Sequence, residues 1–132
     1  LGMCLIKPGE SELTFAGARF SLFRIDGTSV SETKGDRSGI GYRRVQWDQS
    51  FEDKKVEINP ESRFYMWSDG MTDQIGGAKS RSFGKRRVLS VLMDYQKMNM
   101  TDQRARILRD FEEYHHGEVR RDDVTLLGFR LS

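Results

Sequence analysis

The sequence predicts an α+β domain in which an antiparallel sheet carries helices to one side. Three observations predict it. The first half alternates polar and apolar residues with the period of a strand. The second half switches to apolar residues at helical spacing. The closing segment returns to a strand-like run. The 132 residues are one domain's worth of chain. Aromatics at 11% beside 32% charged residues describe a folded domain rather than a disordered tail.

The elements follow in order. Leu1-Gly2-Met3-Cys4-Leu5-Ile6 is an apolar opening with no basic segment ahead of it. It reads as a strand entered from upstream, not as a signal peptide, so the chain is expected to be the C-terminal piece of a longer protein. Glu12 to Ala16 alternates polar and apolar residues and reads as a half-buried strand. Phe20 to Ile25 and Thr28 to Ser31 read as two strands joined at Asp26-Gly27, a type I′ hairpin signal. Asp26 is thereby a turn residue. Gly35 to Gly41 holds three glycines in seven residues, yet it lacks the Gly-Lys-Ser/Thr ending of a phosphate-binding loop. It reads as an irregular loop. Trp47 to Ile58 reads as one or two strands, Asn59-Pro60 as a turn, and Arg63 to Ser68 as a buried strand ending at Asp69-Gly70.

Val88, Leu89, Val91, Leu92 and Tyr95 then recur at helical spacing. A second helix is expected from Thr101 or Asp102, both good N-caps, with Ile107, Leu108, Phe111 and Tyr114 on its apolar face and Gly117 as its stop. His115 and His116 fall at that helix's end, where a histidine is a partner for the helix dipole. Val124 to Arg130 reads as the last strand.

Composition narrows the function. A net charge of +2 and the lack of an aromatic-rich basic motif argue against a nucleic-acid partner. No apolar run approaches the ~20 residues of a membrane span. The single cysteine, Cys4, forms no internal disulfide, which suits a reducing, cytoplasmic setting. The arginines of the second half read as solvated helix faces. A sharper reading gives Arg43, Arg44 or a helix arginine a role in gripping phosphate.

Two acidic sites stand out. Asp69-Gly70 puts a carboxylate at the end of an apolar strand, beside a residue that admits close backbone approach. Asp122-Asp123 puts two carboxylates at the entry to the final strand, where their repulsion favours a cation. Hard oxygen donors suit Mg²⁺ or Mn²⁺.

These segments match a family pattern. Tyr65-Met66-Trp67-Ser68-Asp69-Gly70-Met71-Thr72-Asp73-Gln74, Phe83-Gly84, and Arg121-Asp122-Asp123-Val124-Thr125-Leu126-Leu127 stand in order. Upstream of them lie Phe15-Ala16-Gly17-Ala18-Arg19 and Gly35 to Gly41. Together they resemble the C-terminal half of metal-dependent protein serine/threonine phosphatases (protein phosphatase 2C-like), in the bacterial branch typified by the sporulation stage II E phosphatase. The resemblance runs over nearly the whole chain, so residues 1–132 are read as the C-terminal portion of one such domain.

It implies two packed antiparallel sheets flanked by helices, an αββα sandwich truncated here at its N-terminus. It implies two Mn²⁺ or Mg²⁺ ions in the complete domain, with Asp69 and Asp122 as the catalytic metal ligands. Gly70 and Asp123 would support that centre. Asp73 would either contact a water there or cap the helix that starts at that point. The family's first metal-binding Asp and its Asp-Gly-His-Gly motif lie outside this chain, which leaves the isolated fragment an incomplete site. The implied substrate is phosphoserine or phosphothreonine on a regulatory protein of the anti-sigma-factor antagonist type. The implied setting is the cytoplasm, including the cytoplasmic part of a larger or membrane-attached signalling protein. A fragment cut from a sandwich exposes sheet edges and is expected to pair as a homodimer. The alternative reading is a catalytically silent phosphatase-like module that binds a partner.

Overall fold

The structure, a computed structural model, describes residues 1–41 and 47–131. Arg43 and Arg44, proposed from the sequence as phosphate-gripping residues, lie outside the described residues. The chain divides into two units, one built on Leu1–Met66 and one on Trp67–Phe129.

In the first unit, β1 (Gly2–Leu5), β2 (Glu12–Gly17) and β5 (Lys54–Glu57) form one antiparallel sheet in the order β1-β2-β5. Leu13 pairs with Val56, and Phe15 with both Cys4 and Lys54. The strand period puts Leu13 and Phe15 on one face, and both are fully buried. In the second sheet, β3 (Ser21–Asp26) lies between β4 (Ser29–Lys34) and β6 (Arg63–Trp67), antiparallel to each. Leu22, Phe23, Ile25, Phe64, Tyr65 and Met66 are buried. The sheets are tied at β5: the Arg24 guanidinium donates to the Glu57 carbonyl at 2.8 Å, and Lys54 Nζ to the Lys34 carbonyl at 2.7 Å.

Two expectations shift here. Asp26 is the last residue of β3, paired with Ser29, so the hairpin turns at Gly27-Thr28. Gly27 takes a φ of +58° while Thr28 does not enter the left-handed region. Glycine first and an ordinary residue second is the type II′ pattern. Asp26 instead pairs with Arg24 Nε at 2.9 Å and accepts from Ser62 Oγ at 2.6 Å. Of the Trp47 to Ile58 stretch, only Lys54–Glu57 is strand among the described residues. Trp47 is wholly solvent-exposed. Gly35 to Gly41 is irregular, as expected, and its Asp36 makes a parallel bridge to Ala18.

The second unit begins where β6 ends. It holds α1 (Asp69–Asp73), a short hairpin of β7 (Ile75–Gly76) and β8 (Arg81–Ser82), then α2 (Gly84–Asp94), α3 (Met100–Tyr114) and all but the last residue of β9 (Leu126–Arg130), Arg130 being counted with the first unit. Val88 and Leu92 of α2 are buried, as are Ile107 and Phe111 of α3. Phe83 stands edge-on to Phe111 at 5.4 Å and to Tyr114 at 5.0 Å, the arrangement aromatic quadrupoles favour.

Helix α3 starts earlier than Thr101 or Asp102, because Asn99 is its cap: the Asn99 side chain accepts from the Asp102 backbone N–H at 2.9 Å. On its expected apolar face, Leu108 is exposed. His115 is its C-cap residue, with Nδ1 at 2.8 Å from the Phe111 carbonyl. Gly117 follows at φ +81°. No helix is long and apolar enough to cross a membrane among the described residues.

Candidate metal centre

The site is assembled at the exit of β6. Phe64, Tyr65 and Met66 are buried, which anchors the strand, and the chain leaves it at Ser68. Ser68 is the extended N-cap residue of α1 (φ −79°, ψ 159°), yet its side chain makes no cap hydrogen bond. The Ser68 hydroxyl reaches 55 residues down the chain instead and donates to the Asp123 carbonyl at 2.9 Å. It also accepts from the Thr125 backbone N–H at 3.0 Å. The Ser68 backbone N–H donates to the Thr125 carbonyl at 3.0 Å. One residue thus holds the two acidic segments side by side with three hydrogen bonds.

Gly70 permits the contact. A Cβ built there would lie 2.3 Å from the Asp123 carbonyl oxygen and 3.3 Å from Asp122 Cβ. Any side chain at position 70 would occupy the space the Asp122-Asp123 backbone fills. The structure therefore brings Asp69, Gly70, Asp122 and Asp123 to one place.

The carboxylates are held alike. Asp69 Oδ1 accepts from the Gly70 N–H at 3.1 Å, and Asp122 Oδ1 accepts from the Asp123 N–H at 2.8 Å. In each residue one oxygen is fixed by the following backbone N–H. The second oxygen has no partner among the described residues. Both residues are exposed.

Asp123 contributes its backbone to this lacing, through its carbonyl and its N–H, while its side chain faces solvent. Asp73 is the last residue of α1, so it does not cap a helix starting there. Its Oδ1 lies 3.4 Å from the Thr72 hydroxyl.

Hard carboxylate oxygens fit Mn²⁺ or Mg²⁺. The close Gly70 approach and the two uncommitted oxygens fit such an ion as well. Among the described residues no group of three or more His, Cys, Asp or Glu side chains stands close enough to hold a metal. The donors here are a partial set.

Sequence reasoning passed over two residues, Ser68 and Gln74. Both bond to backbone groups far along the chain, and residue type alone does not signal that. Ser68 at the end of an apolar strand, just ahead of Asp-Gly, was the available hint.

The comparisons with known proteins agree with this architecture. No curated protein matches the chain. A solved structure described as the SiaA-PP2C domain of Pseudomonas aeruginosa is similar to it, with a TM-score of 0.88 and 33% identity. The match covers 99% of this chain and 51% of that one, so the chain spans about half the length of that solved structure's chain. The mixed fold of antiparallel sheets and helices is that of a PP2C domain. Residues 2–132 match the family described as Stage II sporulation protein E. The chain belongs to the Stage II sporulation protein E (SpoIIE) family, a phosphatase family of the PP2C type.

Proposed function

We propose that the chain is the C-terminal portion of a Mn²⁺- or Mg²⁺-dependent protein serine/threonine phosphatase acting in bacterial signalling. The observation that carries this reading is the lacing of Ser68-Asp69-Gly70 against Asp122-Asp123. Asp69 and Asp122 are the metal ligands, and Gly70 and the Asp123 backbone support them. Two divalent ions at such a centre would lower the pKa of a water and offset charge on phosphate oxygens.

The chain's own residues do the holding. The Gly70 and Asp123 N–H groups each fix one carboxylate oxygen, which aims the other outward. Ser68 sets the spacing between the two segments. The remaining acidic ligands come from a segment upstream of this chain.

The proposed substrate is phosphoserine or phosphothreonine on a regulatory protein of the anti-sigma-factor antagonist type, met in the cytoplasm. A second copy of the chain is a further proposed partner. The exposure of Met3 and Leu5 on β1, and of Leu1 just ahead of it, supports it.

The test is Mn²⁺-dependent hydrolysis of an aryl phosphate by the protein extended upstream by roughly one hundred residues, a typical domain's complement. Asp69→Asn and Asp122→Asn run beside it. Activity that falls to background in both variants is the expected result. A native rate in either variant removes that residue from the site. A folded protein inactive with every metal turns the reading towards a silent binding module.

A further inference from the structure

Burial does not hold the loop that carries Asp122. Residues 116–123 are all exposed, and Val119 is 81% exposed. Its position rests on hydrogen bonds. After Asp122, Ser68 grips the Asp123 carbonyl. Ahead of Asp122, a second side chain does the same work. Gln74 Nε2 donates to the Val119 carbonyl at 3.3 Å and to the Ile75 carbonyl at 3.1 Å.

Gln74 is well placed for that role. It is the C-cap residue of α1, the helix that starts at Asp69. It is 1% exposed, and its own carbonyl accepts from the Phe83 N–H at 2.8 Å. Its Oε1 is buried with no partner among the described residues, so the amide is kept at a cost to folding. An apolar side chain would fill the same space without that cost. The two side chains that grip the Asp122 loop, Ser68 and Gln74, thus stand at the two ends of the helix that carries Asp69.

We infer that Gln74 is a positioning residue, whose amide sets the location of Asp122 relative to Asp69 and so the affinity for the divalent cation. This inference rests on the metallophosphatase reading above. Partners that orient metal ligands are typically worth 10–100-fold in metal affinity.

The test replaces Gln74 in the full-length protein by Met, which keeps the volume and removes the amide. Mn²⁺ binding is measured by calorimetry, and thermal unfolding is followed in parallel. The expected result for Gln74→Met is a Mn²⁺ dissociation constant raised about tenfold. KM stays unchanged, kcat recovers at saturating Mn²⁺, and the melting temperature stays within a few degrees of the parent's.

Native Mn²⁺ affinity in folded Gln74→Met overturns the inference. Asp69→Asn and Asp122→Asn separate the two levels. If neither changes Mn²⁺ binding, the metal reading itself fails. If both lose Mn²⁺ and Gln74→Met does not, only the role of Gln74 fails. Gln74→Asn, whose amide is one methylene short of Val119, is the second variant. Failure of both variants to fold overturns the inference by making Gln74 a core residue.

Discussion

Substituting Gly70 by Ala tests the site with a single methyl group. The added Cβ would sit 2.3 Å from the Asp123 carbonyl oxygen, where side-chain carbons keep at least 3.0 Å. The carbonyl must therefore retreat by at least 0.7 Å, the difference of those two distances. It cannot swing aside as a side chain would, because it is backbone and Ser68 Oγ holds it at 2.9 Å. The displacement passes to Asp122, whose Cβ is itself 3.3 Å from the new atom.

Two energies set the outcome. Overpacking costs about 1–3 kcal/mol, and replacing Gly by Ala inside a helix returns about 1 kcal/mol. Net stability thus falls by about 0–2 kcal/mol. A ligand misplaced by about 1 Å costs on the order of 10²-fold in rate, or about 2.7 kcal/mol of transition-state stabilisation. Function suffers more than folding. The assay is Mn²⁺-dependent aryl phosphate hydrolysis by the upstream-extended protein, with urea unfolding alongside. Gly70→Ala is expected to fold and to lose on the order of 100-fold in kcat/KM. A folded variant with native kcat/KM and native Mn²⁺ dependence would refute the close approach of the two acidic segments.

Other outcomes follow from local geometry. Ser68→Ala removes one donor and one acceptor of the lacing. Their partners, Asp123 and Thr125, are exposed and regain water, so urea unfolding should show a loss of only about 1 kcal/mol. An unchanged midpoint would mean that the hydroxyl contributes nothing to the lace. Burial pushes the Cys4 thiol above its ordinary range. Below that range both folded and unfolded chains keep the proton, and stability is independent of this group. As pH rises through it the unfolded chain ionises first, so stability falls on the alkaline side. The checkable consequence is iodoacetamide alkylation near pH 8.5, slower in the folded protein than in urea. Equal rates would contradict the shift.

The sequence made legible what depends on period and on local turn chemistry. Leu13 and Phe15 alternate and are buried in β2. Val88 and Leu92 recur at helical spacing and are buried in α2. Where it failed, a competing local rule operated. Trp47 signals strand by type, but a strand needs a ladder partner as well as an aromatic residue, and Trp47 stands in water. Asn99 is as good a cap as Thr101 or Asp102, and the structure uses it because its side chain meets the Asp102 N–H. Helix α1 and the β7–β8 hairpin are too short to show any period.

Asp69 and Asp122 were legible as candidates because acidic residues at the ends of apolar strands are conspicuous. The lacing that brings them together was not. Ser68 meets Asp123 across 55 residues and Gln74 meets Val119 across 45, and no local pattern encodes either pairing.

That division has a physical cause. A cation site needs exposed carboxylates, and exposure removes the hydrophobic burial that positions most side chains. The Asp122 loop is exposed throughout, so its hold must come from hydrogen bonds contributed by better-anchored neighbours. The anchors are Gln74, almost fully buried, and Ser68, at the end of a buried strand. Each grips a backbone carbonyl, which every residue possesses. Neither grip uses a side chain of the loop itself. The arrangement also couples folding to binding. Any ligand that prefers the laced form stabilises it by mass action, by about 2.7 kcal/mol at a hundred times its dissociation constant. On the proposed metallophosphatase reading, a contribution of that size, about two to three times the worth of a single hydrogen bond in the lace, would make a bound cation the strongest tie between the Asp69 and Asp122 segments.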